Sequence, residues 1–219
     1  MAGGPTEHIE TYYAPLHIWA INSVYPLPDG VAIVSRDITA QKQLEQNLSF
    51  LAEASKILAS SLDYELTLRT VTDLAVPRIA DWCSVDMLTA PDRVELLAVA
   101  HVDPAKVRWG RELRKHDPVD LSAPTGLPNV LRTGRSEFYP EITEEMILAA
   151  ARDRESLDLI RSIGFSSVMI VPLLVDQKVI GAITFVAAES GRHFVPADLA
   201  MAEELASRAA MAIQNARLY

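Results

Sequence analysis

Between His8 and Ile38 apolar and polar positions alternate with the two-residue period of half-buried strands. The segments HIETYYA, LHIWAINSVYPL and GVAIVSRDI carry this pattern, and β-branched residues dominate the third. Pro28-Asp29-Gly30 between the last two suits a tight hairpin turn. Three strands of this length are marginal by themselves, so their apolar face needs a cover.

At Thr39 the period changes. Leu44, Leu48, Leu51, Leu58 and Leu62 recur at steps of four and three, with Ser55 in the remaining slot. This predicts a helix from Thr39 to about Leu62 whose seam keeps the seven-residue repeat of a coiled coil. Thr39 is the expected N-cap, and Lys42 three residues on leaves the capping box incomplete. Polar neighbours (Gln41, Lys42, Gln43, Glu45, Gln46, Asn47) favour a helix–helix seam over the first two turns. Ala54 and Ile57 widen the stripe further on, where packing on the domain's own sheet is an equal alternative.

From about Leu51 to Tyr219 the pattern mixes both periods. A helix capped by Asp63 runs to the break at Pro77. DWCSVDMLT and VELLAVAHVD form a hairpin, with Cys83, Val85 and Met87 on one side of the first strand and Ser84 and Asp86 on the other. Pro104 opens a helix, a Pro-rich stretch follows with a short helix, and SEFY is a short strand. TEEMILAAARDRESLDLIRSIG reads as a single helix stopped by Gly164. SSVMIVPLL and KVIGAITFVAA make a third hairpin around Asp176-Gln177, and an Ala-rich helix runs from Pro196 to the last residue. Antiparallel hairpins flanked by helices define an α+β fold, not a doubly wound parallel sheet.

Composition narrows the function classes. An apolar content of 49% in 219 residues supports one or two folded domains. A net charge of −9 and a pI near 5.0 argue against a nucleic-acid surface. One cysteine, Cys83, excludes internal disulfides and Cys-rich metal sites, and the five histidines show no metal-ligand spacing. No apolar run reaches the ~18–20 residues of a membrane helix. The start MAGGPTEHIE has neither the basic nor the apolar region of a signal peptide, so the chain reads as cytoplasmic, with no membrane partner. Phosphate loops, nucleophile elbows and spaced acid–base pairs are all missing, so no catalytic residue and no metal site is assigned and an intrinsic enzyme is not expected.

Two resemblances follow from particular residues. Trp19, Asp29-Gly30 and Asp37-Ile38-Thr39 resemble the closing strands of a PAS domain, whose earlier strands and helices have no counterpart here. LAVPRIADWCSVDML, VMIVPLLVDQKVIGAITFVAA and FVPADLAMAEELASRAAMAIQNARLY resemble a GAF domain of the bacterial sensor type. The domain reading is therefore 1–39 for the PAS strands, 40–62 for a signalling linker helix and 51–219 for the GAF domain. A helix leaving the last PAS strand with heptad spacing is what such a junction needs.

The GAF resemblance implies a pocket roofed by the helices around 104–133, and the candidates for it are Cys83, His101, Trp109, Phe138 and Met169. Each also serves as ordinary core. His101 closes a strand and has the chemistry of a haem ligand, although a hydrogen-bonded histidine is the commoner use of such a place. Cys83 lies on a predicted strand and is followed by Ser84, which argues against bilin. Phe194 and Asp198 match half of the cyclic-nucleotide pattern, but Ala187-Ala188 and Leu199 depart from it. The cofactor is therefore left unassigned, with a small-molecule ligand open. The free methionine sulfoxide reductases of the same fold need a thiolate and a resolving cysteine, which one cysteine cannot supply.

The resemblance implies an input and relay module for a downstream output domain, most often a histidine kinase. The alternative is a ligand-free dimerisation scaffold for a phosphatase or diguanylate cyclase output. Homodimerisation is expected through the N- and C-terminal helices, with Leu44, Leu48, Leu51 and Leu58 as the relay residues.

Overall fold

A computed structural model describes residues 7–16, 18–61, 63–90, 93–116, 119–151 and 153–218. The chain divides into two compact units, 1–49 and 50–219.

The first unit holds β1 (Glu7–Tyr13), β2 (Ile18–Leu27) and β3 (Gly30–Asp37), antiparallel in the order β1-β2-β3. Asn22 ties the three strands together. Its amide donates to Thr11 Oγ1 at 3.4 Å and Tyr13 Oη at 3.3 Å, and its Oδ1 accepts from Ser35 Oγ at 2.6 Å. Val31 and Ile33 of β3 are exposed.

Helix α1 (Thr39–Ala59) begins in the first unit and ends in the second. Thr39 does not cap it in the expected way. Its Oγ1 accepts from Trp19 N–H at 2.9 Å, which fixes the helix start to β2, while Asp37 Oδ1 accepts the Thr39 N–H at 2.8 Å. The Thr39 hydroxyl, and then its N–H, hold the Asp37 carboxyl below its ordinary value. Lys42 Nζ pairs with Glu10 at 2.6 Å and stands 5.8 Å from the Trp19 ring centre, so the first turn is clamped to the strands.

The second unit contains α2 (Tyr64–Ala75), β4 (Trp82–Ala90), β5 (Arg93–His101), α3 (Pro104–His116), α4 (Leu127–Thr133), β6 (Glu137–Tyr139), α5 (Glu144–Ala150), α6 (Arg154–Ile163), β7 (Ser167–Val175), β8 (Lys178–Ala187) and α7 (Pro196–Leu218). Its sheet is antiparallel, in the order β5-β4-β8-β7-β6. The helix expected as one piece after Thr143 is two. Asp153 and Ser156 form a reciprocal capping box that starts α6: Asp153 Oδ1 accepts the Ser156 N–H at 2.8 Å and Ser156 Oγ accepts the Asp153 N–H at 3.1 Å, satisfying donors that have no partner within the helix.

One sheet face carries the main core. Cys83, Val85, Met87, Met169, Val171, Leu173, Ile183 and Phe185 meet Phe50, Ala54, Leu68, Val71, Leu205, Ala209 and Ile213 from α1, α2 and α7. Each fully buried Leu, Ile or Phe contributes about 1.5–3 kcal/mol by leaving water. The alanines of α7 (Ala202, Ala206, Ala209) are wholly buried in this core. Gly181 lets β8 approach β4, since a Cβ there would lie 2.4 Å from the Asp86 carbonyl oxygen and 2.8 Å from Met87 Sδ.

Candidate functional site

The two-residue alternation of the strands puts a different set of side chains on the opposite face. Trp82, Ser84 and Asp86 of β4 stand level with His101, Val99 and Leu96 of β5. On the other side they stand level with Val186, Thr184 and Ala182 of β8. Helix α4 covers part of this face, and α3 touches it at Gly110, where an added Cβ would lie 3.3 Å from the Trp82 ring.

The apolar residues of this face fall into two clusters. Leu127, Val130 and Leu131 of α4 meet Ile170 and Ala182. Trp82, Val186 and Ala188 form the other, with Val99, Ile163 and Phe165 packed against them. Ser84, Asp86 and Thr184 belong to neither cluster and form a polar strip on the two central strands. Asp86 is completely buried, and its Oδ2 accepts from Ser84 Oγ at 3.4 Å. Thr184 Oγ1 is buried and makes no hydrogen bond. Desolvating a carboxylate costs several kcal/mol, and such groups gather at binding sites.

His101 closes one end of the strip. Its side chain is only 3% exposed, and its ring centre lies 4.4 Å from that of Trp82. Nδ1 accepts the Asp103 N–H at 2.9 Å, which places the ring hydrogen on Nε2. Nε2 lies 3.4 Å from Glu189 Oε1 but makes no hydrogen bond. Burial, and then the Lys106 ammonium, hold the imidazole below its ordinary value.

Side-chain anchors fix the surroundings. Glu137 accepts from Gly126 N–H, Asn129 Nδ2 and Tyr139 Oη, which hangs the start of α4 on β6. Burial and this carboxylate push the Tyr139 phenol up to about 12. Asp81 Oδ2 accepts from Ala188 N–H (2.7 Å), Ser190 N–H (3.0 Å) and Ser190 Oγ (2.7 Å), tying the β8–α7 loop to the start of β4. Buried Asp198 pairs with Arg192 at 3.0 Å and accepts the Val195 N–H at 2.9 Å, setting the first turn of α7. An open depression of about 480 Å³ lies elsewhere, between Gly134, Pro172 and Glu203 at the β7 edge.

Of the four pocket candidates whose side chains are described, His101 alone is placed on this face. Cys83 and Met169 are buried in the main core on the opposite face, and Phe138 packs against that core. Burial pushes the Cys83 thiol up, so it is no nucleophile. The Trp109 side chain lies outside the described residues. The relay seam also divides. Leu44 and Leu48 are 56% and 58% exposed, whereas Leu51 and Leu58 are buried in the core of their own unit and present nothing to a partner helix. Leu62 lies outside the described residues. Trp82, Ser84, Asp86 and Thr184 were missed. The signal of Ser84, Asp86 and Thr184 was polar residues on strands whose two faces are both covered by helices, where neither side of a strand meets water. Among the described residues no three His, Cys, Asp or Glu side chains are grouped to hold a metal ion, and no helix is long and apolar enough to cross a membrane.

Comparison with known proteins agrees with this architecture. The GAF domain model matches residues 63–213, more than half of the chain, and the chain therefore belongs to the GAF family. Among solved structures it is similar to the GAF domain of a phosphoenolpyruvate-protein phosphotransferase from Coxiella burnetii, at 17% identity and TM-score 0.59, covering 80% of this chain and 96% of that one. Free methionine-R-sulfoxide reductase from Neisseria meningitidis, solved in complex with its substrate, matches at 15% identity and TM-score 0.57, covering 80% and 93%. Residues 122 to 287 of a methyl-accepting chemotaxis protein match at 19% identity and TM-score 0.55, covering 75% and 97%. No curated protein matches the chain.

Proposed function

We propose that this chain is the sensory input and relay module of a cytoplasmic signal-transduction protein, with no catalysis of its own. The observation that carries the reading is the buried polar strip Ser84-Asp86-Thr184 between two apolar clusters, which is where a ligand would find hydrogen-bonding partners. Similarity in fold to residues 122 to 287 of a methyl-accepting chemotaxis protein supports a signalling role.

Relay would run through α1 and α7. Helix α1 starts on the strands that resemble the end of a PAS domain, and its second half is part of the GAF core. A ligand that repacks that core would bias the helix, and a parallel dimer would pass the bias to a histidine-kinase-type output domain as rotation or a register change. The exposed Leu44 and Leu48 are the partner-facing residues in this reading.

Sedimentation of the full chain tests the relay. The wild type is expected to be a dimer, and the Leu44→Glu/Leu48→Glu variant a folded monomer, because a charge in the seam cannot be paired. A monomeric wild type, or a variant of unchanged mass, overturns it.

A further inference from the structure

Two open depressions of about 480 Å³ each meet at Gly134 and Leu174, at the edge of the five-stranded sheet. One reaches from Pro172 of β7 to Leu199 and Glu203 of α7, the other from Thr133 of α4 to Lys178 and Val179 at the start of β8. The groove exists because the sheet stops short here. Strand β6 pairs with β7 only from Val168 to Ile170, so among the described residues no strand covers the outer edge from Pro172 to Val175. Pro172 has no N–H to offer another strand, so an occupant of the groove is held by side chains. Gly134 ends α4 with φ +66°, and a Cβ there would lie 3.2 Å from Val179 Cγ2 and 3.4 Å from Leu174 Cδ2. Its absence keeps the two halves of the groove joined.

The floor is apolar and the rim cationic. Leu174 is 38% exposed, and Leu199 and Val179 are half-buried along the same groove. Arg132, Arg135 and Lys178 stand on the rim, and all three are exposed. The side chains of Arg135 and Lys178 have no partner among the described residues. The Arg132 guanidinium donates to neutral acceptors, Leu121 O at 3.0 Å, Ala123 O at 3.2 Å and Asn129 Oδ1 at 2.8 Å, which hold it in place and leave its charge uncompensated. Two carboxylates stand at the margin: Glu203 accepts the Ser136 hydroxyl at 2.7 Å, and Asp176 accepts from Gln214 Nε2 at 3.0 Å. Three cations against two carboxylates make this rim positive in a chain whose net charge is −9.

We propose that the groove is a docking surface for a short acidic segment of a partner protein. Its carboxylates would meet Arg135 and Lys178, with an apolar side chain between them on Leu174 and Leu199. An apolar floor within a polar rim that carries arginine has the anatomy of a protein interface, and a guanidinium matches a carboxylate with two parallel hydrogen bonds. A small anion needs a more enclosed site than this groove. The surface is separate from the polar strip and from Leu44 and Leu48, so it goes beyond the sensory reading and does not depend on it.

Fluorescence anisotropy of a labelled peptide, Glu-Val-Glu-Leu-Glu-Val-Glu, titrated with the full chain tests this. At about 50 mM salt the wild type binds it with a Kd of about 100 μM or tighter, and at about 500 mM salt binding weakens about tenfold or more. The analogue with lysine at each glutamate position does not bind. Arg135→Glu/Lys178→Glu changes two exposed positions, keeps the melting temperature within about 2 °C of wild type, weakens the acidic peptide about tenfold or more and binds the lysine analogue instead. The Leu44→Glu/Leu48→Glu variant binds the acidic peptide as wild type does. The inference is overturned if the acidic peptide does not bind, if the lysine analogue binds the wild type equally well, or if the Arg135→Glu/Lys178→Glu variant keeps wild-type affinity. It is also overturned if inorganic phosphate at the peptide's own concentration displaces the peptide, which would make this a simple anion site. None of these outcomes alters the mass of the dimer, so the relay is judged separately.

Discussion

Trp82 and His101 face each other across the β4–β5 pair with their ring centres 4.4 Å apart and the imidazole side chain 97% out of water. Held below its ordinary value of 6.5, this imidazole binds a proton more readily in the unfolded chain than in the folded one. Its contribution to stability is therefore complete above pH 6.5 and declines as pH falls from there toward the lower folded value. Asp103, Asp81 and Glu189 oppose the effect, and Lys106 reinforces it. Melting curves from pH 7.5 to pH 5 should fall less steeply for His101→Gln than for wild type; parallel curves would refute the assignment.

Gly181 is expected to accept no side chain. Alanine there forces its methyl against the Asp86 carbonyl, a backbone atom that cannot step aside. Overpacking of this kind costs about 1–3 kcal/mol. Gly181→Ala should lower the melting temperature by roughly 3–10 °C, and an unchanged midpoint would mean that the two strands are further apart.

The divided leucine seam gives paired substitutions opposite outcomes. Leu44→Glu and Leu48→Glu act on exposed positions and should leave the melting temperature of the second unit within about 2 °C. Leu51→Glu or Leu58→Glu places a charge in the main core and should unfold that unit, read as loss of its cooperative transition. Equal behaviour of the two pairs would show that the helix is rotated about its axis.

Cys83 should be inert. Its thiol is buried and its proton held tightly, so iodoacetamide should label the native chain at a small fraction of the rate seen in guanidinium. Cys83→Ser, which leaves a hydroxyl among Val85, Ile183 and Phe185, should cost about 1–3 kcal/mol, and Cys83→Ala less.

Much of this architecture was legible in the sequence because it depends on local periods. The alternation in DWCSVDMLT separated Cys83, Val85 and Met87 from Ser84 and Asp86, and the folded chain keeps that separation. Which of the two sides meets α3 and α4, and which meets α1, α2 and α7, is a tertiary fact that no local period contains. Cys83 and Met169 were assigned to the pocket for that reason. The break before Asp153 was missed because the apolar spacing runs through it, while a side-chain cap at Asp153 and Ser156 restarts the helix. The division of the leucine seam has the same cause. A heptad specifies a stripe, and the stripe says nothing of whether its neighbour is another copy or its own sheet.

Strand β4 pairs with β5 a few residues later and with β8, where Trp82 meets Val186 and Met87 meets Gly181, about a hundred residues further along the chain. The second of these pairings closes a long loop and cannot form until β7 and β8 exist. During synthesis the β4–β5 hairpin must therefore wait, with the edge that β8 will occupy left bare, until β8 has emerged from the ribosome. Folding of this unit should be slow and finish late, and an incomplete chain lacking β8 should be prone to aggregate.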